Sequence, residues 1–590
     1  CVTTLQKLIN GKAFENAGLA DFKQVNIHSF YKILHSIMNE KNQPTLRDSA
    51  AMRWTVLLFM AFAMFCSYIF MDILSPIKDL MQSTRGWDST AFGTMQGSET
   101  FLNVFVFFLI FAGIILDKMG VRFTAVLSGV VMLIGATINW YAVTESFMQS
   151  SLQTWFTENL NYIPGFDELG ISPFYLGMPA SAKFAAVGFM IFGCGVEMAG
   201  ITVSRGIVKW FKGREMALAM GSEMALARLG VATCMIFSPV FAKLGGTIDV
   251  SRSVAFGVVL LMIALLMFCV YFFMDKKLDA QTGEAEEKDD PFKISDLGKI
   301  LTSSGFWLVA LLCVLYYSAI FPFQKYAVNM LQCNLSFTEV APDSFWATNT
   351  VTIIQYVIML VVAAAAFASN FSKKAQVKYP LLGLAIVALV VFCYMGYMRQ
   401  SAETVFAVFP LLAVGITPIL GNYVDHKGKA ATMLIMGSVL LILCHLTFAF
   451  ILPEMKSVSP VAGFVVAYLT ILVLGASFSL VPASLWPSVP KLVDAKIIGS
   501  AYALIFWIQN IGLWLFPLLI GKVLDQTNPE LVEGLKNGTI TPDQAAVSYD
   551  YTAPLVMLAC LGVAALVLGL VLKVIDKKKG YGLEEPNIQQ

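Results

Sequence analysis

Long apolar runs separated by short polar segments recur along the whole chain. Runs such as Trp54–Phe70, Phe101–Leu116 and Val556–Leu572 contain no charged residue, and about 20 apolar residues are enough to cross the hydrocarbon of a bilayer as a helix. The pattern predicts an all-α integral membrane protein with about fourteen transmembrane helices. They are predicted at 53–80, 89–117, 121–143, 183–211, 215–243, 252–275, 303–331, 345–369, 379–398, 402–424, 430–452, 461–489, 497–524 and 553–575.

The distribution of basic residues predicts the orientation of these helices. Lys and Arg collect in the segments at 118–122, 209–214, 276–277, 373–378, 427–429, 491–496 and 577–579, whereas the longer loops at 144–182 and 525–552 are acidic. Cytoplasmic loops carry the excess of Lys and Arg, and the basic segments share one side if the helices alternate. Both termini are therefore expected in the cytoplasm.

Composition supports a membrane protein and excludes several function classes. The 590 residues are 57% hydrophobic and only 13% charged, whereas soluble domains carry about 25% charged residues. A net charge of +1 gives no support for a nucleic-acid partner. The ten cysteines show no metal-ligand spacing, and the aqueous segments contain no GxSxG elbow and no Walker-type loop. We therefore predict a non-enzymatic protein without a cofactor or a metal, monomeric in the lipid bilayer.

A polar segment divides the chain after six predicted helices. It contains GEAEEKDD at 283–290, followed by a stretch with the pattern of an interfacial helix. The predicted organisation is a cytoplasmic segment at 1–52, a first six-helix bundle at 53–275, a cytoplasmic linker at 276–302, a second bundle at 303–575 and a cytoplasmic tail at 576–590.

A short motif occurs twice, about half the chain apart. Each copy has the pattern G-x-x-x-D-x-x-G followed by a basic residue, at the cytoplasmic end of a predicted helix. The glycines are expected to allow close packing and a sharp turn, and the Asp to pair with a basic residue or a helix N-terminus of the neighbouring bundle. The candidate gate residues are Gly113, Asp117, Gly120 and Arg122 in the first copy, and Gly421, Asp425, Gly428 and Lys429 in the second.

The repeat also locates an insertion. Asp117 ends the second predicted helix, so Asp425 should end the second helix of the second bundle. Three predicted helices, however, lie between residue 331 and Asp425. The surplus pair is 345–369 and 379–398, which is predicted to be an inserted helix pair at about 345–398.

The twin motifs resemble the signature of the major facilitator superfamily, in both halves. Further segments resemble its branch of animal lysosomal dipeptide transporters and their bacterial relatives, over about 53–275, 303–331 and 402–575. This resemblance implies the major-facilitator fold and alternating access around a central site. The segments are GCGVE at 193–197, WFKGRE at 210–215, MALARLG at 224–230, YYSAIFPF at 316–323, SLWP at 484–487, GSAY at 499–502 and IQNIG at 508–512.

Charged residues inside the predicted helices are candidates for the substrate site, because burying a charge in the bilayer is costly. Glu197 and Arg228 lie near the middle of their helices. The resemblance implies that Glu197 faces a substrate ammonium and Arg228 a carboxylate. The alternative is a Glu197–Arg228 salt bridge that only fastens two helices. The other candidates are Asp72, Tyr316, Tyr317, Trp486, Gln509 and Asn510.

Together with the resemblance, these residues imply a transporter of a small zwitterionic solute, with dipeptides as the first hypothesis. A carrier of organic anions, amino acids or sugars would share the same fold. A membrane receptor or scaffold without flux is the alternative from another class, and the two intact motifs argue against it. No acidic dileucine signal is evident in either terminal tail, so the bacterial cytoplasmic membrane is the expected location.

Overall fold

The computed structural model describes residues 45–212, 214–282, 294–372, 374–493 and 498–586. Most of the predicted segment 1–52 and a large part of the predicted linker lie outside these ranges. The described residues form helices and no β-strand. The α-helices are α1 Ala50–Met71, α2 Lys78–Arg85, α3 Ser89–Gly97, α4 Phe101–Phe105, α5 Phe108–Ala142, α6 Glu145–Met148, α7 Ser151–Glu158, α8 Ala180–Phe211, α9 Met216–Ala242, α10 Val250–Thr282, α11 Ile294–Leu301, α12 Ser304–Asn334, α13 Asn349–Phe371, α14 Ala375–Met398, α15 Ala402–Lys427, α16 Ala430–Leu446, α17 Leu452–Val458, α18 Pro460–Leu492, α19 Ile498–Thr527, α20 Pro529–Lys536, α21 Pro542–Ala546 and α22 Thr552–Lys579.

Thirteen helices of the described chain are long and apolar enough to cross a membrane, one fewer than expected. The predicted helix at 89–117 is broken, because Phe107 has a left-handed backbone with φ 56° and a new helix starts at Phe108. That helix, α5, continues to Ala142, but Gly120 inside it has non-helical angles of φ 80° and ψ 165°. Gly120 thus separates residues 108–119 from 121–142, near the boundary expected between the second and third helices.

The polar linker begins later than expected. Helix α10 continues to Thr282, so residues 276–282, which the sequence pattern assigns to the linker, form its last turns. Ion pairs explain this extension. Lys209 contacts Asp275 and Asp279, each at 2.7 Å, and Arg122 contacts Asp279 at 2.8 Å. The helix α11 lies where an interfacial helix was expected.

The inserted pair, α13 and α14, forms a helical hairpin beside the second half of the molecule. The two helices pack mainly against each other, and α13 also contacts α15. In the most apolar stretch of each helix, only 39% of the residues of α13 and 28% of those of α14 are buried, compared with 72% in α12. Most of the surface of the hairpin is therefore available to lipid. At one point α13 reaches the first half, where the ring of Tyr356 lies 4.9 Å from that of Phe237 on α9.

We call residues 50–282 the first half and 304–579 the second half. The end of the bundle with the loops 143–179 and 528–551 is the loop end, and the end with Asp117 and Asp425 is the motif end. The two halves make extensive polar contact at the loop end. Lys78 donates to Asn329 at 3.0 Å, Gln82 to Tyr549 at 3.0 Å, and Thr90 to Asp525 at 2.7 Å.

The backbones of α3 and α19 approach closely beside these contacts. A Cβ atom on Gly97 would lie 2.3 Å from the carbonyl oxygen of Trp514, and one on Gly93 would lie 2.1 Å from that of Pro517. Glycine is therefore required at both positions for this approach. The close approach of these helices and the polar contacts beside them show that the two halves are closed against each other at the loop end.

Candidate substrate site and gates

The first motif forms a turn whose polar partners lie within the first half. Gly120 adopts a positive φ, as a sharp turn requires. Arg205 on α8 donates to Asp117 at 2.6 Å, whereas the sequence predicted a partner from the neighbouring bundle. A Cβ on Gly113 would meet nothing within 4 Å, so the close packing expected at this glycine is also absent.

The second motif forms a turn that the C-terminal tail covers. Gly428 has φ 72°, and a Cβ atom there would lie 2.4 Å from the carbonyl oxygen of Glu584. The backbone N–H of Lys429 donates to that same oxygen at 3.2 Å. Asp425 lies in the last turn of α15, and Gly421, like Gly113, has open space beside it. The tail segment 581–586 is therefore part of this turn.

The central candidates begin with a contact that crosses between the halves. The amide of Asn510 on α19 donates to the carboxylate of Glu197 on α8 at 3.3 Å. Asn510 is buried and Glu197 is partly exposed. The contact satisfies only one of the carboxylate oxygens, so Glu197 retains capacity to accept further hydrogen bonds.

Arg228 lies in an aromatic cage. Its guanidinium carbon is 4.8 Å from the ring centroid of Phe478, 5.0 Å from that of Phe321 and 5.6 Å from that of Tyr68. Aromatic faces attract a cation without neutralising its charge. Among the described residues no carboxylate lies within 4 Å of this guanidinium, so the alternative Glu197–Arg228 salt bridge is not formed in this structure.

Tyr68 lies close to several charged side chains of this region. Its phenol lies within electrostatic range of Arg228, Glu223, Glu197 and Glu99. The cage residues Tyr68, Phe321 and Phe478 were not predicted, because aromatic side chains in apolar runs are usually part of a packed core. One weak signal exists: Tyr68 is four residues before Asp72 and Phe321 is four before Lys325, which is the spacing of one helix face.

The remaining candidates divide into two groups. Trp486 donates from Nε1 to the hydroxyl of Tyr317 at 3.0 Å, and the amide oxygen of Gln509 accepts from the thiol of Cys313 at 3.3 Å. Tyr317 also lies within electrostatic range of Arg228, which links it to the central site. Tyr316, by contrast, is fully buried and its hydroxyl bonds to Leu434 and Ser438 of α16. Its predicted role as a ligand is therefore not supported by its position.

Asp72 is engaged in an ion pair between the halves. Its carboxylate lies 2.9 Å from Nζ of Lys325 on α12 and accepts a hydrogen bond of 2.6 Å from Gln324. Both members of the pair are buried. Lys325 also donates to the carbonyl oxygen of Met71 at 2.7 Å. Asp72 was predicted as a substrate ligand, but in this structure it fastens α12 to the end of α1.

Two carboxyl groups, Asp88 and Asp525, lie nearer the loop end. Asp525 of the second half accepts hydrogen bonds of 2.7 Å from both the N–H and the hydroxyl of Thr90. Asp88 of the first half caps α3 by accepting from Ala91 at 2.7 Å. Burial and the neighbouring charge of Asp525 raise the pKa of Asp88 to about 6, against the bond from Ala91 and the charges of Lys78 and Lys536.

We expect acid to favour closure at the loop end. Opening would return Asp88 to water and to its ordinary pKa of 3.8, so the closed state binds the proton more tightly. The closed population should fall as the pH rises from about 4 to about 6 and level off above that range. Distance measurements by pulsed EPR between spin labels on the two halves would record this shift.

The variant Asp88→Asn removes the titrating carboxyl group but keeps the helix cap, because Asn caps a helix as well as Asp does. We expect its closed population to vary little over the same pH range. A pH dependence equal to that of the wild type would show that another group is responsible.

Comparison with known proteins agrees with this architecture. The family model described as Major Facilitator Superfamily matches residues 168–407. The lysosomal dipeptide transporter MFSD1 of Danio rerio is 22% identical over 482 residues, which cover 80% of this chain and 81% of the relative.

Two solved structures show the same fold at low sequence identity. A mutant of the nucleoside transporter NupG aligns with a TM-score of 0.56 at 13% identity, covering 88% of this chain and 99% of that one. A bacterial homolog of the human lysosomal transporter Spinster, in an inward-facing and occupied conformation, aligns with a TM-score of 0.54 at 12% identity, covering 90% and 98%.

The helical bundle, the twin motif turns and these matches define a multi-pass membrane transporter of the major-facilitator type, not an enzyme. Residues 168–407 are similar to the major facilitator superfamily model, and about four-fifths of the sequence is similar to the lysosomal dipeptide transporter of Danio rerio.

Proposed function

We propose that this transporter carries small zwitterionic solutes, dipeptides above all, by alternating access between the loop end and the motif end. The observation that carries the proposal is Arg228, a cation in an aromatic cage without a carboxylate partner among the described residues. A guanidinium of this kind is suited to hold a substrate carboxylate in a two-pronged hydrogen bond.

The opposite charge is supplied by Glu197. Its carboxylate has one partner, Asn510, and shares the neighbourhood of Tyr68 with Arg228. A substrate that bears both an ammonium and a carboxylate would satisfy both groups at once. The name of the Danio rerio relative, a lysosomal dipeptide transporter, supports dipeptides over other zwitterions.

The same geometry supports a gating role for the cross-half contacts. Asp72 and Lys325 link the halves between the central site and the loop end, and Gly93 and Gly97 allow α3 to approach α19 there. Breaking these contacts while the motif end closes is the exchange that alternating access requires. The Asp117 and Gly428 turns, with Arg122, Asp425 and Lys429, are proposed to control the motif end.

Uptake into proteoliposomes tests the proposal. We expect the purified chain to accumulate a labelled dipeptide, and uptake to fall strongly when the peptide is N-acetylated or when its C-terminus is amidated. Single amino acids, a dicarboxylate, a sugar and a nucleoside serve as competitors. Equal uptake of the blocked and unblocked peptides would refute the zwitterion site, and preference for another competitor would assign the carrier to that substrate.

The test also separates a transporter from a non-transporting receptor. A receptor would bind the dipeptide in a thermal-shift assay but would give no protein-dependent uptake.

For location, the bacterial cytoplasmic membrane with both termini in the cytoplasm stays our prediction. Protease protection of tags placed at 339 and beyond 586 would test the predicted orientation, since the two tags should lie on opposite sides.

A further inference from the structure

A cavity lies at the loop end, away from the central site. It has a volume of about 940 Å³ and is enclosed by the end of α9, the ends of α12 and α17, and the beginnings of α13 and α15. None of the residues proposed for the dipeptide lines it. One wall therefore belongs to the first half, and the others belong to the second half and its inserted hairpin.

The charge of this cavity is mainly positive. Lys243, Arg399 and Lys456 line it, together with one carboxylate, Glu403. Lys456 already donates to the carbonyl oxygen of Cys333 at 3.1 Å, and Glu403 accepts a hydrogen bond of 2.8 Å from the hydroxyl of Ser401. Lys243 is exposed at the end of α9. Behind this lining, Asp79 accepts a hydrogen bond of 3.2 Å from Gln332 and lies within electrostatic range of Lys243 and Glu403. Three cations therefore face two carboxylates, and Arg399 and Lys243 still have N–H groups available to donate to an anion.

Arg399 is held in position by a buried chain of hydrogen bonds. It donates to the amide oxygen of Gln355 at 2.8 Å, and the amide nitrogen of Gln355 donates to the hydroxyl of Thr404 at 3.0 Å. Gln355 is fully buried. Among the described residues no carboxylate lies within 4 Å of the Arg399 guanidinium. Burial lowers the pKa of Arg399, an effect that the nearby charge of Glu403 opposes.

Two long helices begin at the same cavity. Asn349 and Thr352 lie in the first turn of α13, and Glu403 and Thr404 lie in the first turn of α15. The N-terminus of a helix carries partial positive charge and unpaired N–H groups, so it adds to the attraction of an anion. The end of α15 is already capped, because the hydroxyl of Ser401 accepts from the N–H of Thr404 at 3.1 Å. The end of α13, which has no side-chain cap, is the one that reinforces the site of Arg399 and Lys243.

We infer that this cavity binds an anionic group, a phosphate or a carboxylate, with Arg399 as the principal contact and Lys243 as a second. The group can come from the headgroup of an anionic lipid or from a free anion at the loop end. Because the walls belong to both halves, the bound anion would bridge them and favour the state that is closed at the loop end. The inserted hairpin then contributes part of the wall of a regulatory site.

Thermal-shift measurements on the full chain in neutral detergent test this site. The probes are inorganic phosphate, short-chain phosphatidylglycerol and, as the uncharged control, short-chain phosphatidylcholine. A ligand that binds only the folded state raises the apparent melting temperature with concentration. We expect a saturable rise with at least one anionic probe, and its loss in Arg399→Gln. Lys243→Gln should require several-fold more anion, whereas Lys374→Gln, an exposed cation outside the cavity, should respond as the wild type does.

The two anionic probes distinguish the sources. A rise with phosphatidylglycerol alone assigns the site to a lipid headgroup, and a rise with phosphate assigns it to a free anion. If Arg399→Gln does not fold, as judged by gel filtration, the exposed Lys243 decides the question. An equal rise with phosphatidylcholine, or a full response in both Arg399→Gln and Lys243→Gln, would overturn the inference. Dipeptide uptake plays no part in these measurements, so they stand apart from the proposed substrate.

Discussion

Replacing Glu197 with Gln is expected to lower the efficiency of dipeptide uptake about 10- to 100-fold, because a hydrogen bond to a charged group contributes roughly 1.5–3 kcal/mol. The preference for a free ammonium should fall with it. The introduced amide would keep the hydrogen bond from Asn510 but would no longer offer the substrate a negative charge. Uptake of the dipeptide and of its N-acetylated form, measured side by side in proteoliposomes, checks this result.

The second substitution is Arg228→Lys. It keeps the positive charge but removes the planar guanidinium that can donate two parallel hydrogen bonds to a carboxylate. We expect this variant to lose its preference for a free C-terminus over an amidated one by a similar factor. A purely structural role for either residue would instead lower the uptake of all substrates equally.

The matched control is Glu339→Gln, on the exposed loop between α12 and α13, which should leave uptake unchanged. The substrate assignment fails if Glu197→Gln and Arg228→Lys, correctly folded by gel filtration, transport and discriminate as the wild type does.

Replacing Lys325 with Met is expected to open the loop end. The substitution leaves Asp72 buried and charged without its partner, which destabilises a buried pair by roughly 3–5 kcal/mol. The closed state bears this penalty, since the contact joins α12 of the second half to the end of α1. We expect labels on opposite sides of the loop end to move apart in pulsed EPR measurements, with a hundredfold or larger loss of the closed population.

The double variant Asp72→Asn with Lys325→Met is the internal control. Removing both charges is far less costly than removing one, so the closed population should recover in large part. If neither the single nor the double variant opens the loop end, the ion pair does not hold it closed, and the hydrogen bonds from Gln82 and Lys78 are sufficient for closure.

The apolar pattern of the sequence predicted most helices to within a few residues, because crossing a bilayer imposes a length on each of them. It missed the break at Phe107, since a left-handed residue inside an apolar run has no compositional signal. It also placed the last turns of α10, residues 276–282, in the linker. An ion-pair network between three helices is not visible in the order of residues along one of them.

The site was harder to predict than the helices. A helix that is apolar all round gives no indication of which face borders a cavity, so Tyr316 and Tyr317 were equally good candidates although only Tyr317 lies near Arg228. Likewise, Asp72 has the sequence character of a ligand, and only the position of Lys325 reveals its partner. Glu197 and Arg228 were identified because a charge in mid-membrane is rare enough to be informative on its own.

The tail that covers Gly428 has a practical consequence for experiments on this protein. Lys491 donates to the carbonyl oxygen of Gly582 at 2.8 Å, and Thr432 donates to the carboxylate of Glu584. A fluorophore attached just beyond residue 586 would therefore report on the turn between α15 and α16 and would move with it. The same attachment point is a poor choice for a bulky fusion partner, because tension on the tail would pull directly on that turn.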